Sequence, residues 1–209
     1  MVSLLMIVGN ACWAYAYFEL LRSERRNNVC SIPPFALALN IAWETIYVIK
    51  FGRRFQLEAI MYGILLTFSI LLTINYFTYG KYRFPAKAQK HFALISIAMF
   101  VAAFFIILAF YFQFRRQSAF LYSTFLRYAL MSLLFVHSFY TRSDMSGQLR
   151  IAIAKCIGTL LLAVQYGYIE MINPFVLICA IVSFSADMWY IIVLVISKIH
   201  ATSAQKNNY

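Results

Sequence analysis

Seven apolar runs, each about twenty residues long, follow one another along the chain, separated by short polar or charged stretches. They cover about 3–21, 32–50, 58–80, 91–113, 118–140, 150–170 and 174–197. A helix needs roughly 20 mostly apolar residues to cross a bilayer, so each run predicts one spanning helix. The fourth is the purest, with no charge from Phe92 to Phe114. The polar stretches hold no soluble domain, no Gly/Ser linker and no internal repeat. The expectation is an all-α, polytopic membrane protein: a single domain over 1–209, built as a compact bundle of seven transmembrane helices. With loops this short, consecutive helices should be antiparallel neighbours.

Composition agrees. Of the 209 residues 63% are hydrophobic and 12% charged, and the mean hydropathy is +0.74. A soluble domain carries about 25% charge and keeps its outer face wet, which this chain has too few polar residues to do. The net charge of +11 is spread in small clusters between the spans rather than gathered on one face, so nucleic acid is not an expected partner. The lipid bilayer is. No obligatory protein partner is predicted. Cys12, Cys30, Cys156 and Cys179 lack metal-ligand spacing and read as small hydrophobes.

The first span lacks a basic stretch before it and a small-residue cleavage site after it, so it reads as a spanning helix and not a signal peptide. Arg22, Arg25 and Arg26 follow it. Alternate loops collect twelve Lys and Arg on that side, Lys155 and Arg142 among them, against five on the other. The basic side faces the cytoplasm. The expected topology is therefore a multi-pass protein with the N-terminus outside and the C-terminus cytoplasmic. The short chain favours a bacterial plasma membrane over the endoplasmic reticulum.

Ionisable groups inside the spans cost several kcal/mol each and point to sites. Five stand out: Glu44, Arg127, His137, Glu170 and Asp187. Asn40, Glu44 and Tyr47 share a helix face at i, i+4 and i+7. A carboxyl taken out of water there favours its neutral form, and the flanking amide and phenol could orient it. Ser183, Asp187 and Tyr190 repeat the arrangement in the last span, with Trp189 beside them. Two intramembrane acids on different helices suggest one shared cavity. Arg127 lies too deep to snorkel; it serves either a bundle acid or a polar ligand. His137 and Glu170, near helix ends, read as interfacial, with Glu170 the nearer to a cavity role. Trp13, Tyr17, Trp43, Tyr47, Trp189 and Tyr190 lie on the first, second and last helices, and ring faces stabilise cations. An acid set among aromatics suits carbocation chemistry.

Other chemistries lack their residues. The last span has no buried Lys for retinal, and no Asp-Asp pair offers the carboxylate cluster that Mg²⁺ requires. Gly-x-Ser-x-Gly, His-Glu-x-x-His and Walker motifs are all missing from the sequence. No metal and no cofactor is predicted. Metal-free acid chemistry remains, beside two rivals: a small proton- or cation-coupled transporter using Glu44 and Asp187, or a non-catalytic membrane subunit. Transporters usually show broken helices, whereas Pro33, Pro34 and Pro174 all fall at predicted helix ends.

The stretch from Ile32 to Tyr47, with Pro33-Pro34, an apolar run and then Asn40-Ile41-Ala42-Trp43-Glu44, resembles the most distinctive segment of the small integral-membrane terpene cyclases of fungal meroterpenoid and indole-diterpene pathways, which have bacterial relatives. Arg142 to Gly147 with Lys155 to Leu160 resembles the loop and start of their sixth helix, and Asp187-Met188-Trp189-Tyr190 the Asp-x-x-Tyr of their last. Residues 59–70 lack the Trp and Asp expected early in the third helix. The resemblance implies an isomerase- or lyase-type terpene cyclase of secondary metabolism. It would protonate a terminal alkene or epoxide of a prenyl chain attached to an aromatic or heterocyclic head. By that resemblance Glu44 and Asp187 would be its essential acids; the residues around them, Asn40, Trp43, Tyr47, Arg127, Tyr190 and Trp13, are the candidates for binding the substrate.

Overall fold

A computed structural model describes residues 4–52, 57–84, 86–141, 148–170 and 172–206, and among them all regular structure is helical. The seven long helices are α1 (Leu4–Asn27), α2 (Pro34–Gly52), α3 (Leu57–Tyr79), α4 (Phe92–Gln113), α5 (Arg116–Thr141), α6 (Gln148–Val164) and α7 (Pro174–Lys206). All seven are long and apolar enough to cross a membrane, one for each apolar run. Arg53, Arg54 and the Arg142–Gly147 stretch lie outside the described residues.

Helix ends follow local chemistry rather than the edges of the apolar runs. The first run stops near Leu21, but α1 continues through Arg22, Arg25 and Arg26. It ends where Asn28 turns left-handed at φ 51° and Val29 N–H bonds back to Glu24 O at 3.1 Å, a Schellman closure that Asn tolerates. Pro34 and Pro174 occupy first helical positions, where a missing N–H costs nothing. Asn173 caps α7, its Oδ1 accepting from Phe175 N at 3.1 Å and Val176 N at 3.3 Å. The sixth span is not uniformly α-helical. Beyond Val164 it widens into a π turn over Gln165–Ile169, closed by Glu170 N–H to Gln165 O at 3.0 Å.

Consecutive helices are close neighbours only in part. The pairs α2–α3, α4–α5 and α6–α7 pack together, but α1 lies chiefly against α6 and α3, and α5 against α7. The cause for α1 is visible at Gly9 and Gly158. A Cβ on Gly158 would stand 2.9 Å from the Gly9 carbonyl oxygen and 2.9 Å from the Trp13 ring. Paired glycines let two backbones approach where lipid offers no hydrophobic drive to do so. Helix α4 carries Leu94 and Phe105 about two-thirds exposed, which suits a lipid-facing position. Glu24, buried at the end of α1, accepts from the backbone N–H of Ser31 (2.7 Å) and Ile32 (3.1 Å) and from Asn75 Nδ2 (3.3 Å). It is a loop anchor that the sequence reading passed over.

Candidate active site

Glu44 lies near the middle of α2 and is fully buried. Its Oε1 accepts a hydrogen bond from the Tyr17 hydroxyl of α1 at 3.0 Å, and Arg127 Nη1 of α5 stands 3.8 Å away. Arg127 itself is 3% exposed. Its Nη1 donates to Asn40 Oδ1 at 2.9 Å, and its guanidinium lies 4.4 Å from the Trp43 ring and 4.9 Å from Tyr128. Electron-rich faces and one amide oxygen therefore hold the cation in place. Trp43 Nε1 donates to Ser123 Oγ at 3.1 Å, and the Tyr47 hydroxyl is 3.3 Å from the same oxygen. Trp13 stacks on Tyr128 at 4.9 Å.

This corrects one detail of the predicted stripe. Asn40, Glu44 and Tyr47 all face inward, but neither Asn40 nor Tyr47 hydrogen-bonds Glu44. The Asn40 oxygen is taken by Arg127, and the long Tyr47 side chain carries its hydroxyl past the carboxyl to α5. The phenol that orients Glu44 comes instead from Tyr17.

Asp187 forms a second cluster. Its Oδ1 pairs directly with the Lys155 ammonium of α6, which also donates to Ser132 Oγ of α5 at 2.8 Å and lies 5.7 Å from the Phe135 ring. Lys155 is 2% exposed, seven residues inside α6. Assigning it to the cytoplasmic loop charge was therefore wrong: a partner on another helix allows it to be buried. Ser183 and Tyr190 are buried beside Asp187, and the Tyr190 hydroxyl donates to Gln148 Oε1. Trp189 is not part of the cluster. It is 53% exposed and donates to the Tyr140 hydroxyl at 3.0 Å, because the two-residue step from Asp187 turns it about 200°, to the opposite side of the helix. His137 is exposed.

Each acid is met by its own base. Around each acid some buried polar atoms lack a close hydrogen bond, among them Glu44 Oε2, Asn40 Nδ2, Ser69 Oγ, Ser183 Oγ and Asp187 Oδ2. Such atoms are rare in folded interiors and call for an explanation, a catalytic role among them.

A cavity of about 840 Å³ opens at the end of the bundle that holds the start of α1. Tyr62, Phe104, Phe120 and Tyr166 form much of its wall, with Lys50, Arg116, Glu58 and Glu170 among its charged lining groups. Glu170 thus meets the cavity, its Oε1 accepting from Gln165 Nε2 at 2.8 Å. None of the sequence-selected residues Trp13, Asn40, Trp43, Glu44, Tyr47, Arg127, Asp187 or Tyr190 lines it. Trp43 adjoins it: its ring packs 5.0 Å from Tyr62 and 5.6 Å from Phe120, both of the wall, while touching Arg127.

A buried acid and an aromatic interior beside an apolar cavity match what family comparison finds. The model of the Pyr4-like transmembrane terpene cyclases matches residues 1–199. The chain belongs to that family. No curated protein and no solved structure matches it. This cyclase is accordingly a multi-pass membrane protein and an enzyme of the terpene cyclase class.

Proposed function

We propose that this cyclase carries out metal-independent, proton-initiated cyclisation of a prenyl chain attached to an aromatic or heterocyclic head. The observation that carries the reading is Glu44: fully buried, with Oε1 held by Tyr17, the Ser69 hydroxyl of α3 beside the carboxyl, and Oε2 without a close hydrogen bond. A proton on Oε2 is not held by any strong hydrogen bond within the protein. It passes to the terminal epoxide oxygen or alkene carbon, breaking the C–O bond or the π bond and leaving a tertiary cation. Each successive alkene gives its π pair to that cation, closing a ring and moving the charge along the chain. A C–H proton then leaves to a carboxylate, so the proton balance closes and the product is an isomer of the substrate.

The head rests at the cavity mouth and the chain runs along the aromatic wall, reaching Glu44 past Trp43. Tyr62, Phe120 and Tyr166 of the cavity wall present rings that stabilise passing positive charge, with Trp43 and Trp13 behind them. Asp187, charge-balanced by Lys155, supports the initiating acid or steers the cation from the adjoining cluster. Asn40 and Arg127 fix the polar frame around Glu44. Tyr47 and Tyr190 complete the buried walls. The N-terminus, and with it the cavity mouth, faces outside, in a bacterial plasma membrane or its endoplasmic-reticulum equivalent. The transporter reading finds support only in the π turn of α6, and the intact α2, α5 and α7 offer no unwound midplane site.

Purified enzyme incubated with a farnesylated aromatic, with and without its terminal epoxide, should yield cyclised product, and should still do so after exhaustive chelation. Glu44→Gln keeps volume and polarity but has no acidic proton. It should lose about 10²–10⁴-fold in turnover, the usual contribution of general acid catalysis, while remaining folded. Wild-type turnover by this variant would overturn the assignment.

A further inference from the structure

The mouth of the cavity holds a cation that the buried clusters do not use. Lys50 lies in the last turn of α2 and lines the cavity. Its Nζ donates to the Arg116 carbonyl at 3.0 Å and stands 4.9, 5.4 and 5.8 Å from the rings of Tyr47, Phe51 and Tyr111. Three ring faces and one carbonyl fix the ammonium in position. An ammonium has three N–H donors, and among the described residues no carboxylate forms an ion pair with it. Lys50 also stands six residues beyond Glu44 on the same helix, about 9 Å along the axis at 1.5 Å per residue.

We propose that Lys50 is the residue that recognises the substrate head, and that this head carries one acidic oxygen, a carboxylate or a phenolate. The inference rests on the cyclase reading above and adds to it the chemical class of the head. An anionic oxygen at Lys50 places the aromatic ring of the head beside Phe51 and Tyr111, which line the cavity. The prenyl chain then runs from that ring along the aromatic wall towards the level of Glu44.

Arg116, Glu58 and Glu170 also line the cavity. Lys50 differs from them in being held on three ring faces, close to the cavity's aromatic wall.

The test separates binding from turnover. The probes are a prenylated benzoic acid whose terminal double bond is reduced, which cannot cyclise, and its methyl ester. In lipid nanodiscs the wild-type enzyme should bind the acid at least about tenfold more tightly than the ester. Lys50→Met, which keeps the stem and removes the charge, should bind both equally and bind the ester as the wild type does. Lys50→Arg should retain the preference. Equal binding of acid and ester by the wild type overturns the proposal without needing any variant to fold. So does an undiminished preference in a folded Lys50→Met. If the acid binds preferentially but its reactive counterpart is never cyclised, the head site stands and the cyclase reading falls. If acid and ester are cyclised with equal kcat/KM, the cyclase reading stands and this inference falls.

Discussion

The two buried acid–base clusters are built from similar parts and end in different states. Each sets a carboxylate on one helix against a base on another, with both groups nearly inaccessible. In the Asp187 cluster the ammonium touches the carboxylate directly, and its other contacts are Ser132 and the face of Phe135. In the Glu44 cluster the guanidinium remains 3.8 Å away, its closest hydrogen bond goes to Asn40, and its flanks rest on Trp43 and Tyr128. One base is committed to its acid, whereas the other is committed to an amide and two rings. Asp187 is thus tied as a salt partner, while Glu44 keeps an oxygen free beside an aromatic wall. The arrangement suits Asp187 to balancing charge and Glu44 to giving up a proton.

Removing each base tests that difference. Lys155→Met leaves the Asp187 carboxylate buried without its cation, a loss of about 3–5 kcal/mol for a buried pair broken on one side. The thermal midpoint in detergent should fall sharply. Adding Asp187→Asn should recover much of the loss, because the double variant no longer buries an unpaired charge. No recovery would mean that Lys155 contributes through packing alone. Arg127→Leu should cost less, about 1–3 kcal/mol, the penalty for leaving the Asn40 oxygen unsatisfied. If it destabilises as much as Lys155→Met, the two clusters are the same kind of ion pair and the contrast fails. Its effect on substrate binding, measured beside the midpoint, separates a frame role from contact with the substrate.

How much of this the sequence displays depends on whether a residue's environment lies within its own helix. Glu44 and Asp187 stand out because a carboxylate inside an apolar run is costly wherever its partner is. The inward face of Asn40, Glu44 and Tyr47 follows from helical spacing alone. Lys155 does not stand out. Seven residues into α6 it passes for a helix-end charge, and only Asp187, thirty-two residues further on, reveals that it is buried. Ser123 is similarly silent. A serine in a membrane helix ordinarily bonds its own preceding turn, as it does to Ala119 O at 2.7 Å, and nothing local says that Trp43 and Tyr47 converge on it. The boundary of α1 was misjudged because hydropathy ends at the first charges while the backbone hydrogen bonding continues to Asn27. The helix neighbours escaped because loop length limits separation but does not choose a partner; the Gly9–Gly158 approach does. The cavity mouth was legible only in Glu170, because Lys50 read as an ordinary basic residue at a helix end.

The smallest change distinguishes the clusters most finely. Tyr17→Phe removes one hydroxyl and leaves the ring, including its edge-on packing against Trp13 at 5.9 Å. The lost hydrogen bond to Glu44 Oε1 is worth about 0.5–1.5 kcal/mol in stability, so the thermal midpoint should drop only slightly. Turnover should fall by more than that stability change suggests, since the hydroxyl is what fixes the carboxyl with Oε2 free. The change should lie in kcat, with KM nearly unaltered, because Tyr17 does not line the cavity that receives the substrate. A parallel rise in KM would instead make Tyr17 part of the binding wall. An unchanged kcat would show that Arg127, through its 3.8 Å approach, is sufficient to orient Glu44, and the tyrosine would then belong to packing rather than to the acid.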